Sequence, residues 1–196
     1  MIKIYLSPSN QPYNLYCVGD TNEKAQMEAL AQKIKDILDA EYECETVMAT
    51  LSMGIRFDER PKEAKDKGCD IYLAIHSNAR SEGCTETVAG AVCFYHPEQP
   101  LGRALAANIS KELNAICPVK STLKNSVESG MNAFGGQGYG EIRSPYLHGG
   151  MTPVLAETNF HDNPETAQWM INRKDEIARA YVRALVNTLN IPKKAK

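Results

Sequence analysis

No stretch of this chain approaches the roughly 18 consecutive apolar residues that a membrane-crossing helix needs, so no membrane span is expected. The N-terminus also lacks a charged region followed by an apolar leader. Met1-Ile2-Lys3-Ile4-Tyr5-Leu6 enters a strand at once, so export by the usual route is not expected unless a leader precedes this stretch. There is no excess of either charge. The 22 basic and 24 acidic residues leave a net −2 and the basic ones are scattered, which argues against nucleic acid or an anionic membrane surface as a partner. The C-x-x-C spacing of structural zinc sites is missing too. Of the six cysteines (Cys17, Cys44, Cys69, Cys84, Cys93 and Cys117), Cys44, Cys69 and Cys93 fall in or beside strand-like segments and read as small buried apolar residues. A reducing compartment or an anaerobic host is the plainest account of that usage. No internal repeat and no low-complexity linker divides the chain. Its 196 residues read as one domain, 1–196, long enough for a substantial core.

What the chain does contain is an alternation of strand and helix signals. Ile71-Tyr72-Leu73-Ala74-Ile75 is an apolar run of the kind found in a central parallel strand covered on both faces. It ends in His76-Ser77-Asn78, at the carboxyl end of the strand, where open α/β sheets bind ligands. Residues 2–6, 45–49, 88–95 and 152–156 read as further strands and 143–147 as a short one. A helix begins near Thr21 and carries Met27, Leu30, Ala31, Ile34, Ile37 and Leu38 in one stripe, with Asp20 and Glu23 at capping-box spacing. Other helices are expected over 58–67, over about 99–114, and from Asn163-Pro164 onward with a bend near 172–174. The fold class is therefore α/β: a single domain with a mostly parallel twisted sheet of about six strands and helices on both faces. Residues 50–57 read as a loop carrying Arg56. Residues 132–140 hold four glycines in nine positions but match no phosphate cradle. They read as a mobile surface loop, the alternative being the rim of a groove with Tyr139 as a contact.

Three residues converge on one edge of such a sheet. His76 ends one strand and Glu157 ends another. Glu23, four residues before Met27, falls on the inward stripe of the first helix. Each has a structural reading of its own: a strand-end histidine is usually a satisfied structural residue, and a glutamate suits the positive end of a helix. Together they suggest metal chemistry. A histidine with a carboxylate is ordinary zinc ligation, and a further carboxylate is the usual partner of a metal-activated water.

The chain resembles, over its whole length, the zinc-dependent N-acetylmuramoyl-L-alanine amidases of the type-3 class, enzymes of bacterial cell-wall turnover. Leu73-Ala74-Ile75-His76-Ser77-Asn78-Ala79 is similar to that family's S-x-H-x-N-A strand end. Pro153-Val154-Leu155-Ala156-Glu157-Thr158-Asn159-Phe160 with Asn163 is similar to its P-x-V-L-V-E-x-G-F…N, and Thr21-Asn22-Glu23 sits where the family places a ligand glutamate. The resemblance implies that Glu23 and His76 hold Zn2+ and that Glu157 is the catalytic acid/base. It also implies peptidoglycan as substrate, action at the bacterial cell wall, and cleavage of the amide between N-acetylmuramic acid and L-alanine. The family's D-P-G-H-G, whose histidine is a ligand, is replaced by Ser7-Pro8-Ser9-Asn10-Gln11, as in a branch with S-P-S-x-Q at this place. That makes Gln11 the leading third ligand, ahead of Asn10, His148 and His161. Because an amide oxygen binds zinc less well than imidazole, it also implies weaker metal binding. Asn78 and Arg143, with Ser77, are the expected substrate-orienting groups. Two competing readings remain: a module of this fold that binds peptidoglycan without cutting it, and a related zinc carboxypeptidase.

Overall fold

The computed structural model describes residues 1–54, 57–85 and 87–195; Arg56 lies outside them. Six strands run in chain order: β1 (Lys3–Pro8), β2 (Glu45–Met48), β3 (Ile71–Asn78), β4 (Val92–Tyr95), β5 (Val127–Ser129) and β6 (Thr152–Phe160). Six α-helices accompany them: α1 (Glu23–Glu41), α2 (Glu59–Asp66), α3 (Pro100–Ile116), α4 (Gly140–Gly149), α5 (Pro164–Asn172) and α6 (Lys174–Leu189). The sheet order is β2-β1-β3-β6-β4-β5. All neighbours are parallel except β4, which runs against β6.

The expected α/β class and mostly parallel sheet follow from the way each strand is buried. Along β1, Ile4 and Leu6 face one core while Tyr5 faces the other; along β3, Ile71, Leu73 and Ile75 face the first while Tyr72 and Ala74 face the second. The first core takes its apolar stripes from α1, α3, α5 and α6, and the second, smaller one from α2 and α4. β3 lies at the middle of this sandwich with every residue but Asn78 buried, which is why its sequence is an apolar run rather than an alternation.

Local signals fix the helix starts. Asn163 caps α5 by accepting from the N–H groups of Glu165 and Thr166, ahead of Pro164. α1 is capped by Asn22, whose Oδ1 accepts from Ala25 N, and not by an Asp20–Glu23 capping box. Asp20 instead sits in a turn at φ 44. The expected bend near 172–174 is the break between α5 and α6 at Arg173. The strand expected over 88–95 is shortened to Val92–Tyr95, because Gly90 takes φ 128, a value a pleated strand does not allow.

The segment 143–147, expected as a strand, lies inside helix α4. The N–H groups of Ile142 and Arg143 both donate to Tyr139 O, closing the first turn. Glu141, Ile142, Ser144 and Pro145 are its buried residues, a helical spacing whose middle is polar and so has no apolar period to read.

Candidate functional site: a groove at the carboxyl edge of the sheet

Ser7, His76 and Glu157 share one face of the sheet. Each lies an even number of residues beyond a side chain of the second core, Tyr5, Tyr72 and Leu155 respectively, and side chains repeat with a period of two along a strand. His76 and Glu157 are register partners on adjacent strands, and the β3–β6 register shifts just after them. Glu23 arrives from the other face, at the first residue of α1. Its own N–H donates to Asn14 O, which ties the helix start to the loop after β1.

These elements bring the residues singled out in the sequence to one imidazole. Glu23 Oε1 lies 2.9 Å from His76 Nδ1 and accepts from Ser77 N at 3.2 Å. Asn14 Nδ2 donates to Glu23 Oε2 at 2.7 Å and to Gln11 Oε1 at 2.9 Å, and Gln11 Nε2 is 3.4 Å from His76 Nδ1. On the far side of the ring, Glu141 Oε2 lies 2.6 Å from Nε2, an ion-pair contact without the alignment of a hydrogen bond. Ser7 Oγ donates to Glu141 Oε1 at 3.1 Å. Glu157 Oε2 is shut off from solvent and has no hydrogen-bond partner among the described residues.

The charges respond to this crowding. For His76, burial alone would favour the neutral ring. The Glu141 charge and contact, the Glu23 contact and the Glu157 charge outweigh it, so its pKa lies well above the ordinary value. Burial pushes Glu23 up, but His76, Asn14 and the Ser77 N–H bring it below the usual range. Glu157 has no such compensation. Burial raises it first, the His76 charge pulls it down, and Glu23 and Glu141 push it up again, leaving it at about 7.

The groove has two arms that meet over Gln11, His76 and Glu157. One, about 690 Å3, is lined by Tyr13, Asn14, Asn78, Arg80 and His161. The other, about 790 Å3, is more apolar and is lined by Asn10, Met53, Phe57, Phe134, Tyr139 and Arg143. Each is large enough for a small-molecule-sized portion of a substrate. Asn78 and Arg143 therefore lie in different arms, and Arg143 Nη1 donates to Gln137 O at 2.5 Å. The glycine-rich stretch forms two short 3-10 turns, Gly130–Asn132 and Phe134–Gly136, and serves as a groove wall rather than a detached surface loop. Tyr139 packs on Phe94 with ring centroids 4.8 Å apart. His161 faces the first arm, but its Nδ1 is bonded to Ser77 Oγ at 2.9 Å and its ring stacks on Tyr16. His148 does not line the groove; it sits in the last turn of α4, about 10 Å along the helix from Glu141. Glu141 is the site residue that sequence reasoning missed. Its one signal is a carboxylate in the first turn of a helix, invisible while the segment reads as loop and strand.

Among the described residues, no group of three His, Cys, Asp or Glu side chains is arranged to hold a metal. Two donors lie close enough to share a divalent cation of the zinc type, the Glu23 carboxylate and the His76 imidazole. Gln11 stands beside them with Nε2 toward the ring and Oε1 bonded to Asn14, so its amide must turn over to offer an oxygen. Glu23 Oε1 and His76 Nδ1 stand 2.9 Å apart, near the roughly 3.3 Å expected of two donors about 2.0–2.2 Å from a shared tetrahedral centre. Glu157, the register partner of His76 on the neighbouring strand, lines both arms of the groove beside them.

Comparison with known proteins agrees with this architecture. A family model described as N-acetylmuramoyl-L-alanine amidase matches residues 13–187. The catalytic domain of CwlV, an N-acetylmuramoyl-L-alanine amidase from Bacillus (Paenibacillus) polymyxa var. colistinus, superposes with a TM-score of 0.76 at 17% identity, covering 98% of this chain and 100% of that one. An N-acetylmuramoyl-L-alanine amidase from Clostridium difficile 630 gives 0.75 at 18% identity, covering 96% and 97%. AmiC2 of Nostoc punctiforme, another such amidase, gives 0.75 at 16%, also covering 96% and 97%. At these identities the likeness is one of fold. No curated protein sequence matches.

Proposed function

The chain belongs to the N-acetylmuramoyl-L-alanine amidase family, and on that premise we propose that residues 1–196 form a single catalytic domain. It is a zinc-dependent hydrolase that cleaves the amide between the lactyl group of N-acetylmuramic acid and the L-alanine of the peptidoglycan stem, acting at the bacterial cell wall. The observation that carries this reading is the place of Glu157: it is the register partner of His76, one strand away from the His76–Glu23 pair, and lines both arms of the groove. In the metal-free site, burial and the Glu23 and Glu141 charges raise its carboxyl to about 7. A general acid/base works best when its pKa lies near the working pH.

Glu23, His76 and Gln11 would hold the zinc. Bound there, it would supply Lewis-acid polarisation of the scissile carbonyl and acidify water. Glu157 takes the proton of the attacking water as the C–O bond forms. It returns that proton to the departing nitrogen as the C–N bond breaks, giving the lactyl carboxylic acid and the amine of L-alanine. At neutral pH these become a carboxylate and an ammonium by passage of the acid's proton to the amine. Asn78 in one arm and Arg143 in the other orient the substrate on either side of the reacting bond.

The test is zinc analysis of the purified protein together with hydrolysis of purified wall and detection of new N-terminal alanine. Glu23→Ala and His76→Ala should lose both metal and activity, and Gln11→Ala should lose metal in part. The incomplete set of ionisable metal donors favours one second reading, a module that binds peptidoglycan without cutting it. Wild-type protein that binds wall but carries no zinc and releases no alanine would establish that reading and overturn the hydrolase. A requirement for a free α-carboxylate in the substrate would point to a carboxypeptidase instead.

A further inference from the structure

We propose that Glu141 is the positioning residue of this site: oriented by Ser7, its carboxylate braces the Nε2 side of His76, so that Nδ1 is presented to Glu23 and Gln11. This role rests on the metal-hydrolase reading above. Glu141 enters from α4, on the face of the sheet carrying Ser7, His76 and Glu157; the other helix on that face, α2, sends its buried Glu63 to Tyr5 and not to the imidazole. It is 5% exposed, and its one ion-pair partner among the described residues is His76.

Ser7 sets the direction of this contact. A hydroxyl has one hydrogen to give and two lone pairs to receive, and here all three are used. Ser7 Oγ donates to Glu141 Oε1 at 3.1 Å, and accepts from Tyr72 OH at 2.9 Å and from Arg60 Nη1 at 3.0 Å. Arg60 also donates to Pro8 O at 2.6 Å and, through Nε, to Leu51 O at 2.7 Å. The Ser7-Pro8 segment is thus held by α2, β3 and the loop after β2, and it aims one proton at Glu141. A metal-ligating histidine needs its second nitrogen fixed by an outer partner, commonly a carboxylate, and loss of that partner weakens metal binding 10- to 100-fold. Glu141 stands behind the ring with both oxygens engaged. Glu157, which lines both arms of the groove, stands where a reacting group belongs.

The experiment compares wild type with Glu141→Gln, Glu141→Met and Ser7→Ala. It measures the zinc dissociation constant by competition with a chromophoric chelator, kcat and KM on a soluble muropeptide, and the melting temperature of the metal-free protein. Zinc affinity should fall about 10- to 100-fold in both Glu141 variants and by a smaller factor in Ser7→Ala. The fall in kcat should follow, with KM within about twofold: Glu141 borders the more apolar arm but is only 5% exposed there, so a role exercised through His76 leaves substrate binding nearly unchanged. Wild-type zinc affinity in a folded Glu141→Gln overturns the proposal. So does a pattern in which only the melting temperature moves, since that is what a purely structural carboxylate would give. If Glu141→Met does not fold, Glu141→Gln and Ser7→Ala decide. Wild type that binds no zinc removes the hydrolase reading and this role with it; wild type that binds zinc beside a Glu141→Gln that binds it equally well removes this role alone.

Discussion

Glu157 is held where its ionised form is costly. Its pKa is raised to about 7 by burial first and then by the Glu23 and Glu141 charges, against the opposing His76. For a carboxyl raised on folding, the protonated form favours the folded state. That stability is fully present below the unfolded value near 4.5 and is lost as pH rises through about 7. At about 1.4 kcal/mol per unit, and allowing for the part of the side chain that reaches the groove, the loss is about 2 kcal/mol. Glu157→Gln keeps the shape and removes the charge. In metal-free protein it should therefore melt about 4–8 °C above wild type at pH 8.5, with the gap shrinking toward pH 5; calorimetry at the two pH values measures this. The same variant should retain zinc and lose about 10²- to 10⁴-fold in wall hydrolysis, the range for removing a general acid/base. A variant that is stabler and inactive is what a site held in strained readiness produces. A gap that is constant with pH would refute the account.

At the scale of elements, what could be read from the sequence depended on whether burial was apolar. β1, β3, β6 and the stripe of α1 bury aliphatic residues at a regular period, so Ile4, Leu73, Val154 and Leu30 announce themselves. The Asn163-Pro164 start of α5 is equally plain, because capping chemistry is local. α4 gave no such signal. Its buried face mixes Glu141, Ile142, Ser144 and Pro145, and the glycines before it are turn formers, so a helix that carries a carboxylate to the site resembled loop and strand. The antiparallel β4 was hidden for a related reason: its direction is fixed by pairing with β6, a contact between distant parts of the chain. His76, Glu23 and Glu157 were legible because strand ends and a helix start place them without any knowledge of contacts. Glu141 was legible only through contacts. The local signals can be tested for energy as well as position. Asn163 Oδ1 accepts from Glu165 N at 3.0 Å and Thr166 N at 3.3 Å, and Nδ2 donates to Val88 O at 3.1 Å. Asn163→Ala should cost about 1–2 kcal/mol and lower the melting temperature by about 2–8 °C while zinc affinity stays at the wild-type value. Thermal melts and chelator competition check both halves.

For the whole molecule, the site sits where three layers meet. Glu23 belongs to a helix packed on one face of the sheet, His76 to the strand at its centre, and Gln11 to the loop leaving β1. A cation held by all three would link α1, β3 and β1 in the folded state only, since no unfolded chain brings these residues together. Binding then adds to stability by mass action, by about 2.7 kcal/mol at one hundred times the dissociation constant. In a chain of this length that is a rise of about 5–11 °C in melting temperature. Wild type titrated with zinc and followed by calorimetry should show this rise and lose it again on adding a chelator. Glu23→Ala and His76→Ala should show no rise, because each removes one of the two ionisable donors. Gln11→Ala should show a reduced rise at the same zinc concentration, and Gln11→His a larger one, because imidazole is a better zinc ligand than an amide. Glu157→Gln should keep the full rise, since its carboxylate is assigned to proton transfer and not to holding the ion. A zinc-independent melting temperature in the wild type, or an undiminished rise in His76→Ala, would place the cation elsewhere and break the link between the three layers and the chemistry.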